Sequence, residues 1–253
     1  MSLKGKVAFI TGGGKNLGAD IARELAPLGA SLALHYNSPG SQAESEKTRK
    51  DLAAAFPDIK IKLYQADLTT ASAVTDIFAA VLKDFGRIDI VVNTIGKVLK
   101  KPIVDISEKE YDDMFAINSK AAFFILKESA KHVSDGGKVV TIVTSLLAAF
   151  TGLYTSYAGS KAPVEHFTRG VAKELQPRGI SVVAVGPGPM DTPFFYSSPP
   201  QESPEAVEFH KSQAMGGRLT DTKDISPIIR FLVTEGGWIT GQTIFPNGGY
   251  TTR

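Results

Sequence analysis

The 253-residue chain contains no cysteine. Disulfides and cysteine chemistry are excluded, while the redox compartment stays open on this count. Histidine is scarce too. Its four residues, at 35, 132, 166 and 210, have no pairing at ligand spacing, so no metal site is expected. Neither sign of charge prevails: 28 basic residues stand against 26 acidic ones, which argues against a nucleic-acid or membrane surface. No stretch approaches the roughly 20 apolar residues of a membrane span. The N-terminal MSLKGKVAFITGG has no long apolar run before its glycines and does not read as a signal peptide. The expectation is a cytoplasmic protein with no membrane or nucleic-acid partner. What is present is ordinary globular composition, 43% hydrophobic and 21% charged, at a length that α/β folds often span as one domain.

The apolar pattern alternates between two periods. KVAFIT, SLALHY, IKIKLYQAD, IDIVVNTIG, GKVVTIVTS, ISVVAVGPGP and QTIFP read as short buried strands. Between them lie helical patterns: LGADIARELAPLG, which places Leu17, Ile21, Leu25 and Leu28 on one face, then about Ser41 to Phe56, ASAVTDIFAAVLKDFG, about Glu108 to His132, YTSYAGSKAPVEHFTRGVAKEL, and about 223 to 234. Strands alternating with helices predict an α/β fold, a Rossmann-like, doubly wound parallel sheet with helices on both faces. One composition break, PGPMDTPFFYSSPPQESPE, is rich in proline and aromatics. A boundary there leaves too short a C-terminal piece for a core, so residues 1–253 read as one domain, with a substrate loop at about 189–217.

TGGGKNLG, residues 11–18, joins the first strand to the first helix. Glycine lets backbone turn tightly and approach a phosphate, and a helix N-terminus supplies free N–H groups there. In this context the loop resembles that of the short-chain dehydrogenase/reductase family, in its NADP-preferring carbonyl and 3-oxoacyl reductase form. Thr11, Gly12 and Gly18 match the family loop, and Asn16 stands where its middle glycine is usual. Asparagine tolerates left-handed backbone better than most residues. Lys15, Asn16 and Leu17 complete the expected pyrophosphate loop. About 20 residues on, where NAD-binding folds carry an acid for the ribose 2′-hydroxyl, the chain reads His35–Tyr36–Asn37–Ser38. With no carboxylate to repel a 2′-phosphate, Lys15 as a nearby cation and Tyr36, Asn37 and Ser38 as neutral donors, NADPH/NADP+ is the expected cofactor. His35, the last residue of strand pattern, reads as structural.

The resemblance implies further roles. Asp67 and Leu68 in QADL take the family's place beside adenine, with Asp67 as the N-cap of the next helix the competing reading. Asn93 and Gly96 in NTIG support the cofactor site. Pro187 and Gly188 line the nicotinamide, and Thr192 bonds its carboxamide. The chemistry sits in TSYAGSK. Tyr157 and Lys161 are one helical turn apart and share a face. A phenol of pKa about 10 ionises more easily beside an ammonium, and the resemblance makes Tyr157 the general acid with Lys161 also on the nicotinamide ribose. Ser145 at the end of GKVVTIVTS steadies the carbonyl oxygen, and Asn118 in FAINSKAAFF holds the relay water. The family spaces its serine thirteen residues before the tyrosine; Ser145 is twelve before and Thr144 thirteen. Ser145 is preferred, because strand alternation turns Thr144 to the other side. Tyr154 is a rival acid without a lysine at the same spacing.

Phe194, Phe195 and Tyr196 suggest an apolar or aromatic substrate, and the lysines of KVLKKP, residues 97–102, read as a solvated run or a contact for an acidic group. The expected activity is reduction of a ketone, quinone or 3-oxoacyl carbonyl. Its rivals are a non-catalytic NADP(H)-binding regulatory protein and an NAD-linked alcohol dehydrogenase. A homotetramer, or homodimer, is implied by the resemblance.

Overall fold

The structure, a computed structural model, describes residues 2–196 and 203–252. The expected substrate loop therefore falls in part, at 197–202, outside the described residues. Seven strands form one sheet: β1 Val7–Thr11, β2 Ser31–Tyr36, β3 Ile61–Gln65, β4 Ile88–Asn93, β5 Val133–Ile142, β6 Ser181–Val185 and β7 Thr243–Ile244. Their order is β3-β2-β1-β4-β5-β6-β7, and each neighbouring pair is parallel. The order reverses between β1 and β4, which opens a crevice above the carboxyl ends of those strands.

Period-two alternation assigns neighbouring residues to opposite faces. Ile10, Val92, Val140 and Val183 pack beneath helices α1 (Asn16–Leu25) and α9 (Thr222–Thr234), whereas Phe9, Val91, Val139 and Val182 pack beneath α3 (Ala71–Phe85), α5 (Ala121–His132) and α6 (Thr155–Leu175). Strands covered on both faces read as continuous apolar runs, as VAFIT and IDIVVN do. Helix α2 (Gln42–Ala55) flanks β3.

Two expectations are revised. The helix expected over about 108–132 is α4 (Glu108–Phe115) and α5, joined by a π-turn at Ala116–Lys120. Ser107 and Glu110 form a capping box at the start of α4, while the π-turn admits one extra residue, and Asn118 sits in it. The proline-rich stretch is not all loop: α7 (Pro193–Tyr196) lies within it and α8 (Pro204–Ser212) begins at its end, and Ser203 caps α8 by accepting the Ala206 N–H at 3.1 Å.

Candidate active site

The β1–α1 connection brings backbone to the mouth of the crevice. Gly12 has φ +67°, and a Cβ there would lie 2.6 Å from Thr94 Oγ1; a Cβ on Gly18 would collide with the Gly12 carbonyl. Asn16 adopts φ 48°. The left-handed conformation that glycine adopts most readily is therefore present, with asparagine in it. His35 supports the loop from below. Its Nδ1 accepts the Gly12 N–H at 3.1 Å and its Nε2 donates to the Ala66 carbonyl at 2.8 Å. These partners fix the neutral tautomer, and burial lowers the ring's pKa to about 4.

A groove of about 1490 Å³, open mouth included, runs from this loop to α6. Gly12, Lys15, Asn16, Leu17 and Gly18 line one end, with Tyr36, Asn37, Ser38 and Leu68; Gly96, Thr192, Tyr157 and Lys161 line the other. Free N–H groups at the start of α1, with Lys15 and the neutral Tyr36, Asn37 and Ser38 at that end, suit a dinucleotide carrying a 2′-phosphate. A second cavity, of about 670 Å³ with its mouth, adjoins the far end and is lined by Thr144, Ser145, Tyr154, Tyr157, Pro187, Gly188, Phe194, Phe195, His210 and Tyr250. Tyr157 faces both spaces.

Tyr157 and Lys161 are buried on α6, 7% and 4% exposed. Lys161 Nζ donates to the carbonyls of Ile95 at 3.2 Å and Ile142 at 3.0 Å. Burial lowers its pKa to about 8. Gly96 keeps room beside it, since a Cβ there would lie 3.0 Å from Lys161 Nζ and 2.9 Å from Asn118 Oδ1. The Asn118 amide clamps the loop after β4: Oδ1 accepts the Lys97 N–H at 3.0 Å, and Nδ2 donates to the Lys97 carbonyl at 2.8 Å and to Ser160 Oγ at 3.0 Å.

Residues 12–251 match the family model described as enoyl-(acyl carrier protein) reductase. The chain belongs to the short-chain dehydrogenase/reductase family. A hydroxynaphthalene reductase-like protein, Arp2, of Metarhizium brunneum is 36% identical over 266 residues, covering 99% of this chain and 97% of its own. NADPH-dependent aldehyde reductase 2, chloroplastic, of Arabidopsis thaliana is 35% identical over 261 residues, covering 98% and 95%. A dehydrogenase from Burkholderia cenocepacia, solved with bound NADP, is 57% identical with a TM-score of 0.95, covering 100% of this chain and 96% of its own.

Within this short-chain dehydrogenase/reductase some expected residues stand elsewhere than the sequence reading put them. Asp67 is exposed, lies outside the groove lining and accepts the Thr69 N–H at 3.1 Å. Nor is it the helix cap: Thr70 caps α3. Asn93 is buried below the groove, where its Oδ1 accepts from Thr11 Oγ1 at 2.7 Å and ties β4 to β1, a supporting role. Pro187 and Gly188 line the second cavity and not the groove. Tyr196 does not line it; its hydroxyl donates to Asp191 at 2.9 Å. Of the lysine run, Lys101 pairs with Glu110 at 2.9 Å and Lys100 lies 5.9 Å from the Tyr154 ring centre.

Two electronic expectations are corrected. Burial raises the Tyr157 phenol to about 12 rather than lowering it, because the ammonium of Lys161 is turned to two carbonyls and desolvation dominates. Thr144 does not face away: it lines the second cavity beside Ser145 and Tyr157. The strand ends at Ile142, so alternation no longer governs the direction of residue 144. The sequence reading also missed Ser41, Ser45, Thr94, Ile95, Ile117 and Met190 in the groove. The polar segment NSPGSQAES after β2 held the signal for the two serines; the apolar residues carried none.

Proposed function

We propose that the protein is an NADPH-dependent reductase that converts a ketone, quinone or 3-oxoacyl carbonyl into an alcohol. The observation that carries this reading is the position of Tyr157, whose side chain lines the dinucleotide groove and the substrate cavity at once. The names of the Arabidopsis and Metarhizium relatives and the NADP in the Burkholderia structure support it.

Gly12, Asn16, Leu17 and Gly18 hold the pyrophosphate against the start of α1, and Lys15, Tyr36, Asn37 and Ser38 receive the 2′-phosphate. Leu68 packs beside adenine, Asn93 and Gly96 shape the floor, Thr192 flanks the nicotinamide, and Pro187 and Gly188 wall the adjoining cavity. NADPH, when bound, supplies hydride to the carbonyl carbon. Tyr157 gives its proton to the carbonyl oxygen. A phenol held near 12 is fully protonated at neutral pH and is still far more acidic than the alcohol that forms when the alkoxide takes its proton. Lys161, mostly ammonium below its pKa of about 8, holds the ribose and polarises the phenol once the coenzyme is in place. Asn118 serves the proton relay, and a hydroxyl at residues 144–145 steadies the developing oxyanion. The bulk of the substrate is apolar and rests against Phe194 and Phe195.

We also read the enzyme as a cytoplasmic homotetramer or homodimer. Phe123 on α5 and Trp238 before β7 are exposed, as faces awaiting a second copy would be. Among the described residues no helix is long and apolar enough to cross a membrane. The test of the reading is NADPH oxidation across a panel of aromatic ketones, quinones and 3-oxoacyl thioesters, with NADH in parallel. Turnover with NADPH is expected; tight NADPH binding without turnover of any carbonyl overturns it.

A further inference from the structure

Helix α2 is held to the molecule by few side chains. Of its 14 residues only Ser45, Thr48 and Leu52 are buried, and only Leu52 of these is apolar. The two hydroxyl residues meet the glycine loop. A Cβ on Gly14 would collide with Ser45, so the helix and the loop backbone are in close contact there. One turn further on, Thr48 Oγ1 donates to the Gly14 carbonyl at 2.9 Å, 34 residues away in the chain. Thr48 is 4% exposed and lines neither the groove nor the second cavity.

That bond joins the two halves of the 2′-phosphate pocket. Lys15 follows Gly14 directly, and the planar peptide between them sets the Lys15 N–H opposite the Gly14 carbonyl. A carbonyl fixed on α2 therefore fixes where the backbone of Lys15 begins. From the other side, Tyr36, Asn37 and Ser38 lead into α2: the Ser41 N–H donates to the Ser38 carbonyl at 2.9 Å, and Ser45 Oγ donates to the Ser41 carbonyl at 2.7 Å. Lys15, Ser38, Ser41 and Ser45 all line the groove. The pyrophosphate end of the loop is braced separately, by His35 at the Gly12 N–H and by the close approach of Gly18 to Gly12.

We propose that Thr48 is a positioning residue for coenzyme selectivity: by tying α2 to the Gly14 carbonyl it sets the spacing at which Lys15 and the Tyr36–Ser38 segment meet one 2′-phosphate. It acts through the loop and touches no coenzyme atom. The inference rests on the NADPH reading above.

Thr48→Val nearly keeps the shape and removes the donor, whereas Thr48→Ser restores the donor without the methyl. Dissociation constants for NADPH and NADH are measured by fluorescence titration at one salt concentration, since an exposed phosphate contact is screened by ions. Thr48→Val should bind NADPH about tenfold more weakly, the scale of one buried hydrogen bond, with NADH weakened less than about threefold. Thr48→Ser should bring the ratio back towards that of the wild type. Phosphorus NMR of bound NADPH gives a second readout: the 2′-phosphate resonance should move in Thr48→Val and the pyrophosphate resonances should stay. Thr48→Ala carries the same comparison should the valine variant not fold. Equal weakening of both coenzymes, with the pyrophosphate resonances moving too, makes the bond a general support of the loop and overturns the proposal. A wild type that binds NADH as tightly as NADPH defeats the NADPH reading and the proposal with it, whereas a wild-type preference that the Thr48 variants leave in place sinks the proposal alone.

Discussion

His35 gives the fold an acid sensitivity whose size follows from its partners. In the folded chain the ring is neutral, because Nδ1 must accept the Gly12 N–H while Nε2–H serves the Ala66 carbonyl. A proton on Nδ1 would set two donors against each other inside a buried site. Burial accordingly lowers the pKa from 6.5 to about 4, a drop of roughly 2.5 pH units at about 1.4 kcal/mol each. A depressed folded pKa contributes stability that is complete above 6.5 and lost as pH falls towards 4, because the unfolded chain takes up the proton first. The loss is about 1.4 kcal/mol per pH unit in that window and about 3 kcal/mol in all. Carboxylates also titrate there, so the informative quantity is the difference between wild type and His35→Gln, which cannot titrate. Urea unfolding followed by circular dichroism at fixed pH values from 7.5 to 4 measures it. The wild type should lead at pH 7.5 and the lead should shrink by about 3 kcal/mol by pH 4. A gap that stays constant with pH refutes the buried neutral ring.

Two further outcomes follow from the site. Gly96→Ala forces a methyl to within 2.9 Å of Asn118 Oδ1 and 3.0 Å of Lys161 Nζ; kcat should fall at least about tenfold, the scale of effect expected when a catalytic group is misplaced by a fraction of an ångström, while thermal unfolding shifts little; steady-state kinetics with a melting curve checks both. Asn37→Asp puts a carboxylate where the 2′-phosphate is received; NADPH affinity, by fluorescence titration, should weaken by about 10–100-fold while NADH affinity rises, since a close like-charge pair costs on the order of 1–3 kcal/mol.

Most of the scaffold was legible because its signals are local. Ile10 beside Phe9 and Val92 beside Val91 follow a period of two, and α1 and α3 follow the helical period, so strands, helices and the parallel sheet could be read from short windows. The glycine loop and the Tyr157–Lys161 pair were legible for the same reason. Asn16 behaved as its short polar side chain allows, taking φ 48°. What escaped depends on distant partners. Lys161 turns to the carbonyls of Ile95 and Ile142, 66 and 19 residues away, which no spacing rule reports, and the expected acidifying of Tyr157 failed with it. Thr144 was expected to face away because strand alternation was carried two residues past the end of β5, whereas it lines the cavity beside Ser145. The π-turn around Asn118 has no sequence signal of its own, and the cap at Ser203 was masked by the prolines around it.

The central claim, that Tyr157 protonates a carbonyl oxygen in a site built for NADPH, is tested most directly by Tyr157→Phe. NADPH oxidation with a ketone that the wild type reduces, and NADPH dissociation by fluorescence, are measured on the same preparation. Turnover should fall by about 10²–10⁴, the range of a lost general acid, with NADPH binding nearly intact. Turnover equal to that of the wild type would contradict the claim.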